Sequence, residues 1–310
     1  MDPVTHAAIG LAVSKITGNS LVMSDAATIG IVIGSVFPDV DILLQKWGDY
    51  VYLKNHRGVT HSIPGLVASS LLIASVICLG ISGTSFMSTF LWTLLGCFSH
   101  VIFDLFNSYG AKLLWPLTER KFSIGMLVSF DPILILSIAG YIFTKDKLDY
   151  VFIAALPVYL ALKAVVRHFA KTRLKAKLGH KYEKISLLPN TTKPFRWHMI
   201  LHGDKQDVIC EKKFFKNDFK VVKVLEKPEG KGLQKAMRTE TGKFFNDFTP
   251  LCNVTCEQVG ENKRFVFSDM RYYVKDDFLH HAIVEVDKDN KVVSQTFNPY
   301  SLNRSCTITS

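Results

Sequence analysis

The feature that most constrains this chain is a run of 21 residues, Ile63 to Gly83, that contains no charged side chain. About 20 apolar residues in a helix are enough to cross the hydrocarbon core of a bilayer. Three similar runs follow, from Phe86 to about Phe106, from about Leu127 to Phe143, and from Val151 to Val166. The pattern predicts an α-helical membrane domain that crosses the bilayer several times.

The stretch from Ala7 to Phe37 is apolar but interrupted, first at residues 17–20 and again at residues 24–25. It predicts two short helices that form a hairpin. The mean hydropathy of the whole chain is +0.19 although its second half is polar, so the first half is too apolar for a soluble domain.

The net charge of +10 is concentrated after the last apolar run. Seven basic residues and one acid, Glu183, lie between Arg167 and Lys184. Such a run beside a membrane span is typical of a cytoplasmic flank. The alternative, a nucleic-acid-binding patch, is disfavoured because no aromatic residues are interleaved with the basic ones. We therefore expect no nucleic-acid partner, a cytoplasmic second half, and, by alternation of the spans, polar clusters at the cytoplasmic end of the membrane domain.

Four polar patches interrupt the apolar half. They contain imidazole and carboxylate side chains, which bind intermediate and hard metal ions, and they include no cysteine. The candidate metal ligands are His6, Asp39, His56, His61, His100 and Asp104. His100 and Asp104 are four residues apart, so they share one face of a helix and can reach one ion.

Ionisable residues beside membrane spans are costly unless they are paired or bind an ion. The patches contain enough ligands for one or two divalent ions, with Zn²⁺ preferred and Mn²⁺ next. Such ions activate water for hydrolysis. Asp41 is a candidate ligand or general base, and Arg57 is suited to hold a substrate phosphate. Asp131, which precedes a proline, is expected to be a helix cap or an acceptor outside the ligand set.

These patches also carry a family resemblance. The opening residues Met1 to Gly10, Gly34 to Asp41, the His-Arg-Gly-Val-Thr-His-Ser block of residues 56–62 and the His-Val-Ile-Phe-Asp block of residues 100–104 are similar to the YdjM-like, LexA-binding, inner-membrane-associated metal-dependent hydrolases of bacteria. The resemblance covers about residues 1–170. It implies a bacterial inner-membrane hydrolase with distant kinship to zinc-dependent phospholipase C and zinc nucleases, whereas the long C-terminal extension departs from the short members of the family.

The second half alternates apolar and polar residues in short runs that predict strands. The predicted strands are Phe195–Leu201, Asp207–Phe215, Phe219–Leu225, Arg264–Ser268, His281–Val286 and Val292–Phe297. One helix is predicted from about Gly232 to Phe248. This pattern indicates a small β-rich (α+β) cytoplasmic domain in which we find no catalytic arrangement.

The predicted organisation is a membrane-embedded domain over residues 1–168, a basic juxtamembrane linker over 169–190 and a β-rich domain over 191–310. We expect a metal-dependent hydrolase that attacks an ester, with a phosphoester favoured, of a lipid or lipid-linked substrate such as a polyprenyl phosphate. Two alternatives remain open at this point: an ion or metal transporter, and a non-catalytic membrane scaffold that the metal stabilises.

Overall fold

The computed structural model describes the chain except for Met23, Thr192, Pro194, Asn217, residues 301–305 and residues 308–310, and it gives only the backbone of Cys306 and Thr307. The chain forms two compact units. The first contains Met1–Leu43 and Asn55–Ala164, and the second contains Leu44–Lys54 and Val165–Ser310.

The first half of the chain is helical. Its α-helices are α1 Pro3–Ile16, α2 Ala26–Val36, α3 Asp49–Asn55, α4 Ile63–Gly80, α5 Phe86–Leu105, α6 Pro132–Phe143 and α7 Lys147–Leu178. Two 3-10 helices, Phe37–Trp47 and Val59–His61, lie between them. Four segments are long and apolar enough to cross a membrane, namely Ala26–Trp47, Ile63–Gly80, Phe86–Leu105 and Lys147–Leu178, while Pro132–Phe143 is shorter. The predicted helical hairpin and the first two long spans are confirmed.

The third predicted span was wrong at its start. Leu127 is not helical and instead forms an isolated bridge with Asn107. The helix begins at Pro132, where the side chain of Asp131 accepts hydrogen bonds from the backbone N–H groups of Ile133 and Leu134. Proline at the first helical position after a capping acid is a strong start signal. The expectation that Asp131 caps a helix is confirmed.

Glycines let α2 and α5 approach closely. A Cβ atom at Gly34 would lie 2.3 Å from the backbone oxygen of Thr93, and one at Gly96 would lie 2.2 Å from that of Ile31. Gly30 and Gly34 are four residues apart and therefore lie on one face of α2. Small residues at this spacing allow the backbones of membrane helices to come into contact. The contact holds the last turns of α5, with His100, against the end of α2.

The second unit contains two antiparallel sheets and a two-stranded ribbon. The strands are β1 Lys184–Pro189, β2 Arg196–His202, β3 Gln206–Lys213, β4 Phe219–Glu226, β5 Cys252–Val259, β6 Asn262–Asp269, β7 Tyr273–Val274, β8 Asp277–Phe278, β9 His281–Val286, β10 Val292–Asn298 and β11 Cys306–Thr307. The first sheet has the order β1-β2-β3-β4, and the second has the order β11-β10-β9-β6-β5. Helices α8 Lys231–Arg238 and α9 Glu240–Phe248 precede β5.

Each of the six predicted strands is present, with small shifts at the ends. The single predicted helix over 232–248 was wrong, because Thr239 ends α8 and its side chain caps α9 by accepting from the N–H of Gly242. Residues 169–190, expected as a linker, contain the last turns of α7 and strand β1. The fold class, a helical apolar region followed by a β-rich domain, is confirmed.

Candidate metal centre

The candidate ligands lie at helix ends that meet at one end of the first unit. Asp39 is in the 3-10 helix that continues α2, and His61 ends the short 3-10 helix before α4. His100 and Asp104 are in the last two turns of α5. Consecutive antiparallel helices bring the end of one beside the start of the next, which is why residues so far apart in sequence converge.

Four donor atoms converge, and all lie within 4.8 Å of one another. His61 Nε2 is 3.1 Å from His100 Nε2, and Asp39 Oδ1 is 3.5 Å from each of these two nitrogens. Asp104 Oδ2 is 3.3 Å from His61 Nε2 and 3.4 Å from His100 Nε2. A tetrahedral zinc ion with bonds of about 2.0–2.2 Å separates its ligand atoms by about 3.3–3.6 Å. Five of the six distances among the four atoms are therefore close to the edges of a tetrahedral metal site, and all six are within 4.8 Å.

The hydrogen bonds around the cluster direct lone pairs towards its centre. His100 Nδ1 lies 2.7 Å from the backbone oxygen of Ser35, so it donates there and leaves Nε2 as an acceptor. His61 Nδ1 lies 3.0 Å from Thr60 Oγ1. An outward Nδ1–H donated to a carbonyl or another oxygen is the usual arrangement of a metal-binding histidine.

Two carboxylate oxygens of the cluster also need a positive partner. Among the described residues, Asp39 Oδ1 and Asp104 Oδ2 are buried without a hydrogen bond. Buried acceptors without a donor are costly, so a cation fits the space that these atoms surround. The side chains of His61, His100 and Asp104 are fully buried, whereas that of Asp39 is 14% exposed. Asp39 therefore marks the open side of the cluster.

The second oxygen of Asp104 faces a different set of groups. Asp104 Oδ1 is 2.8 Å from Arg57 Nη2, 2.6 Å from the amino nitrogen of Met1 and 3.4 Å from His6 Nε2. The ring of His6 stacks on that of His100 with 3.7 Å between centroids. His6 therefore lies beside the four-atom cluster, and Arg57 supplies positive charge on that side.

Asp41 and His56 form a pair next to the cluster. His56 Nδ1 is 3.1 Å from both carboxylate oxygens of Asp41, and the backbone N–H of Arg57 donates to Asp41 Oδ2 at 2.8 Å. Asp41 Oδ2 is also 3.8 Å from His61 Nδ1. Burial lowers the pKa of His56 to about 4, although the Asp41 carboxylate opposes this shift. The ring of His56 is therefore neutral at pH 7.

The structure thus divides the predicted site residues into three groups. Asp39, His61, His100 and Asp104 converge, His6 and Arg57 adjoin Asp104, and His56 pairs with Asp41. The contributions of Thr60 and of the Ser35 carbonyl were not predicted from the sequence. Thr60 lies inside the recognised block of residues 56–62, which was a usable signal, whereas a backbone oxygen leaves no sequence signal.

A second buried polar cluster joins α6 and α7. Lys163 Nζ lies 3.1 Å from Asp131 Oδ2 and 3.1 Å from the hydroxyl oxygen of Tyr159. The Tyr159 hydroxyl in turn donates to Asp131 Oδ2 at 2.9 Å. Lys163 was not predicted as part of a site, although a lysine inside an apolar run is itself a signal of a buried partner.

Comparison with known proteins identifies the first half of the chain. The profile of the YdjM inner membrane protein family matches residues 1–173, more than half of the sequence. The chain belongs to the YdjM inner membrane protein family. The YdjM resemblance noted from the four sequence blocks is thereby confirmed, as is membrane localisation.

The YdjM region is followed by a second recognisable domain. Residues 231–305 match the YfhP C-terminal alpha/beta plait domain. The uncharacterized protein YfhP of Bacillus subtilis (strain 168) is 29% identical over 310 residues, which cover 93% of this chain and 92% of that protein. No solved structure matches the chain. This YdjM family member therefore combines an apolar helical region with a β-rich plait domain, and its His/Asp cluster could hold a metal ion.

Proposed function

We propose that the protein is a membrane-bound metal-dependent hydrolase that cleaves an ester, most favourably a phosphoester, of a lipid or lipid-linked substrate. The observation that carries the proposal is the convergence of four possible ligand atoms, all within 4.8 Å of one another, at one end of the apolar helices. A substrate of membrane origin can reach a site at that position. Kinship with zinc-dependent phospholipases C would fit the same chemistry.

Asp39, His61, His100 and Asp104 would hold the ion, for which Zn²⁺ is the first candidate and Mn²⁺ the second. A divalent ion there supplies Lewis-acid activation of water and of a phosphoryl oxygen. The proposal assigns one ion, because Arg57 Nη2 already lies 2.8 Å from the outer oxygen of Asp104. A second cation at that oxygen would be repelled by the guanidinium group.

His56 and Asp41 are the proposed proton-handling pair. Asp41 would orient the ring of His56, whose Nδ1 lies 3.1 Å from both of its carboxylate oxygens, and the pair would accept a proton from water. The low pKa of His56, about 4, keeps the ring in its accepting form at neutral pH. Arg57 would position Asp104 and add positive charge for a substrate phosphate.

The proposed location is the bacterial inner membrane, with the site and the β-rich domain on the cytoplasmic side. The support is the basic run after Val166, because cytoplasmic flanks of membrane spans are enriched in lysine and arginine. The substrate would then be a lipid of the cytoplasmic leaflet.

The test is the metal content of detergent-purified protein by elemental mass spectrometry, followed by hydrolysis assays on phospholipids and polyprenyl phosphates. The wild type should carry one equivalent of zinc or manganese, and the His61→Ala/Asp104→Ala double variant should carry none. A matched control, His168→Ala/Asp146→Ala, changes the same residue types outside the cluster and should retain the metal. Absence of metal from the wild type after reconstitution would refute the proposal.

One observation favours a non-catalytic scaffold as the second candidate. Four protein ligands complete a tetrahedral site, and structural zinc sites are closed in this way. Bound metal without hydrolysis of any tested ester, and with a large loss of thermal stability on chelation, would select the scaffold. Metal flux into proteoliposomes would instead select the transporter. The partial exposure of Asp39 is the feature that favours the hydrolase over both.

A further inference from the structure

The basic run at the end of α7 packs against the first sheet of the second unit. Ala170 and Leu174 share one core cluster with Trp197 and Phe214, which belong to the β2–β3 hairpin and the residue that follows it. The apolar part of α7 ends at Val166, and the basic run begins at the next residue. The hairpin therefore lies along the part of α7 that follows its apolar stretch.

The direction of this hairpin is fixed by two contacts. Its turn end lies beside the residues after α7, because the N–H of Glu183 donates to the backbone oxygen of His202 at 2.9 Å. Its open end, where Arg196 pairs with Lys213, is six residues from His202 along β2. Val166, the last residue of the apolar part of α7, packs against the same core cluster as Trp197 and Phe214. The hairpin therefore lies beside the residues with which the apolar part of α7 ends.

Two large aromatic side chains are exposed at this open end. Phe195 is 58% exposed and Phe215 is 74% exposed. The centroids of both rings lie 6.2 and 6.3 Å from that of Phe214, so both exposed rings pack against this buried ring. Aromatic side chains exposed together at one site are unfavourable in water and mark an interaction surface.

Basic residues outnumber acidic ones around the rings, with Arg196, Lys213, Lys216 and Lys220 against Glu211 and Asp218. Lys193 and Arg196 share the carboxylate of Glu211, with contacts of 2.8 and 2.7 Å. The neighbouring lysines Lys213 and Lys216 line the same surface, and neither makes an ion pair with another described residue. The two aromatic rings are thus flanked by lysines that are available for anions.

We propose that this surface, formed by Phe195, Phe215, Lys213 and Lys216, docks on the anionic phospholipid headgroups of the membrane that contains the apolar part of α7. Aromatic rings favour the headgroup level of a bilayer, and each lysine near an anionic surface adds to the attraction. The packing of Val166 against the cluster of the hairpin favours lipid over nucleic acid, because it brings the hairpin beside the end of the apolar part of α7. This inference is independent of the proposed hydrolase activity.

The test compares the full-length protein in detergent, in phosphatidylcholine nanodiscs and in nanodiscs that also contain phosphatidylglycerol. Hydrogen exchange of peptides that cover residues 195–197 and 213–216 is the measurement. We expect exchange to slow on going from detergent to either nanodisc, and to slow by a further factor of about five or more with phosphatidylglycerol. The wild type alone provides this comparison, so it does not depend on a variant that folds.

Variants then separate the two contributions. Lys213→Gln/Lys216→Gln should lose the dependence on phosphatidylglycerol, and Phe195→Ser/Phe215→Ser should lose protection in both nanodiscs. The control Val259→Ser/Val293→Ser replaces two exposed apolar residues of the other sheet and should change nothing. Equal exchange in all three settings would overturn the proposal. Protection that appears only when an oligonucleotide is added would overturn it in favour of nucleic-acid binding.

Discussion

The first unit contains two buried groups of ionisable side chains whose polar atoms are satisfied in different ways. In the Asp131 group, the one carboxylate is met by the Lys163 ammonium and the Tyr159 hydroxyl, both of which donate to it. In the Asp39/His61/His100/Asp104 group, lone pairs of two imidazoles and two carboxylates face one another. The first group neutralises itself, whereas the second could hold a cation.

The difference shows how a structural ion pair can be distinguished from a metal site in an apolar region. Both groups are costly to bury and both contain an aspartate, so burial and residue type do not separate them. The two groups are distinguished by the balance of hydrogen-bond donors and acceptors around their carboxylates. The Asp131 group has donors for its carboxylate, whereas buried oxygens of Asp39 and Asp104 have none among the residues described.

The largest expected effect comes from breaking the self-neutralised group. Lys163→Met should lower the free energy of unfolding by about 3–5 kcal/mol, because the Asp131 carboxylate remains buried without its counter-ion. Lys163→Met/Asp131→Asn should recover most of this loss, since asparagine can still cap α6. Thermal unfolding in detergent measures both. A double variant as unstable as the single one would show that the two side chains do not act as a pair.

The next effect tests the candidate metal group. His100→Ala should weaken zinc binding by about two to three orders of magnitude, because about a quarter of a typical zinc binding free energy of about 10–16 kcal/mol is removed. Competition with a chromophoric chelator measures the affinity. Lys163→Met, although less stable, should bind zinc as the wild type does. Equal weakening in both variants would remove the distinction between the groups.

The close contact of α2 and α5 should matter to the metal group and less to the other. Gly34→Ala should cost about 1–3 kcal/mol of stability, since its Cβ would lie 2.3 Å from the Thr93 oxygen. It should also weaken zinc binding by displacing His100. The matched change Gly80→Ala, at a helix end with open space around it, should have no measurable cost. Equal melting temperatures for the two variants would refute this account.

The smallest expected effect concerns the orientation of a ligand. Asp41→Asn should weaken zinc binding by about tenfold, the lower end of the usual range for residues that orient metal ligands. The contact is long, at 3.8 Å from His61 Nδ1. Asp25→Asn makes the same substitution at the cap of α2 and should bind zinc normally. An unchanged zinc affinity in Asp41→Asn would show that Asp41 orients only His56 and not the ligand His61.

Long apolar runs allowed the positions of α4 and α5 to be predicted within a few residues. The start of α6 was misplaced because hydropathy counts the apolar residues from Leu127 onwards but does not register that Asp131 begins a new helix. Strands β1 and β5 were missed for another reason. They lie at the edges of their sheets, and β5 is largely exposed, so it lacks the alternation of a half-buried strand.

The sequence identified the pool of candidate ligands but not their grouping. The spacing of His100 and Asp104 on one helix face predicted their convergence, which the structure shows. Asp39 and Asp41 could not be separated, because their directions depend on an unpredicted 3-10 helix over Phe37–Trp47. Asp39 turns towards His100, and Asp41 turns towards His56.

The helix ends that form the candidate metal cluster all lie in the N-terminal third of the chain. The six candidate ligands lie between His6 and Asp104, in about the first third of the 310-residue chain. A ribosome that has delivered α5 to the membrane has therefore supplied every ligand, while the whole β-rich domain is still to be translated. Loading of the proposed ion could therefore accompany insertion of the helices, before the rest of the chain is translated.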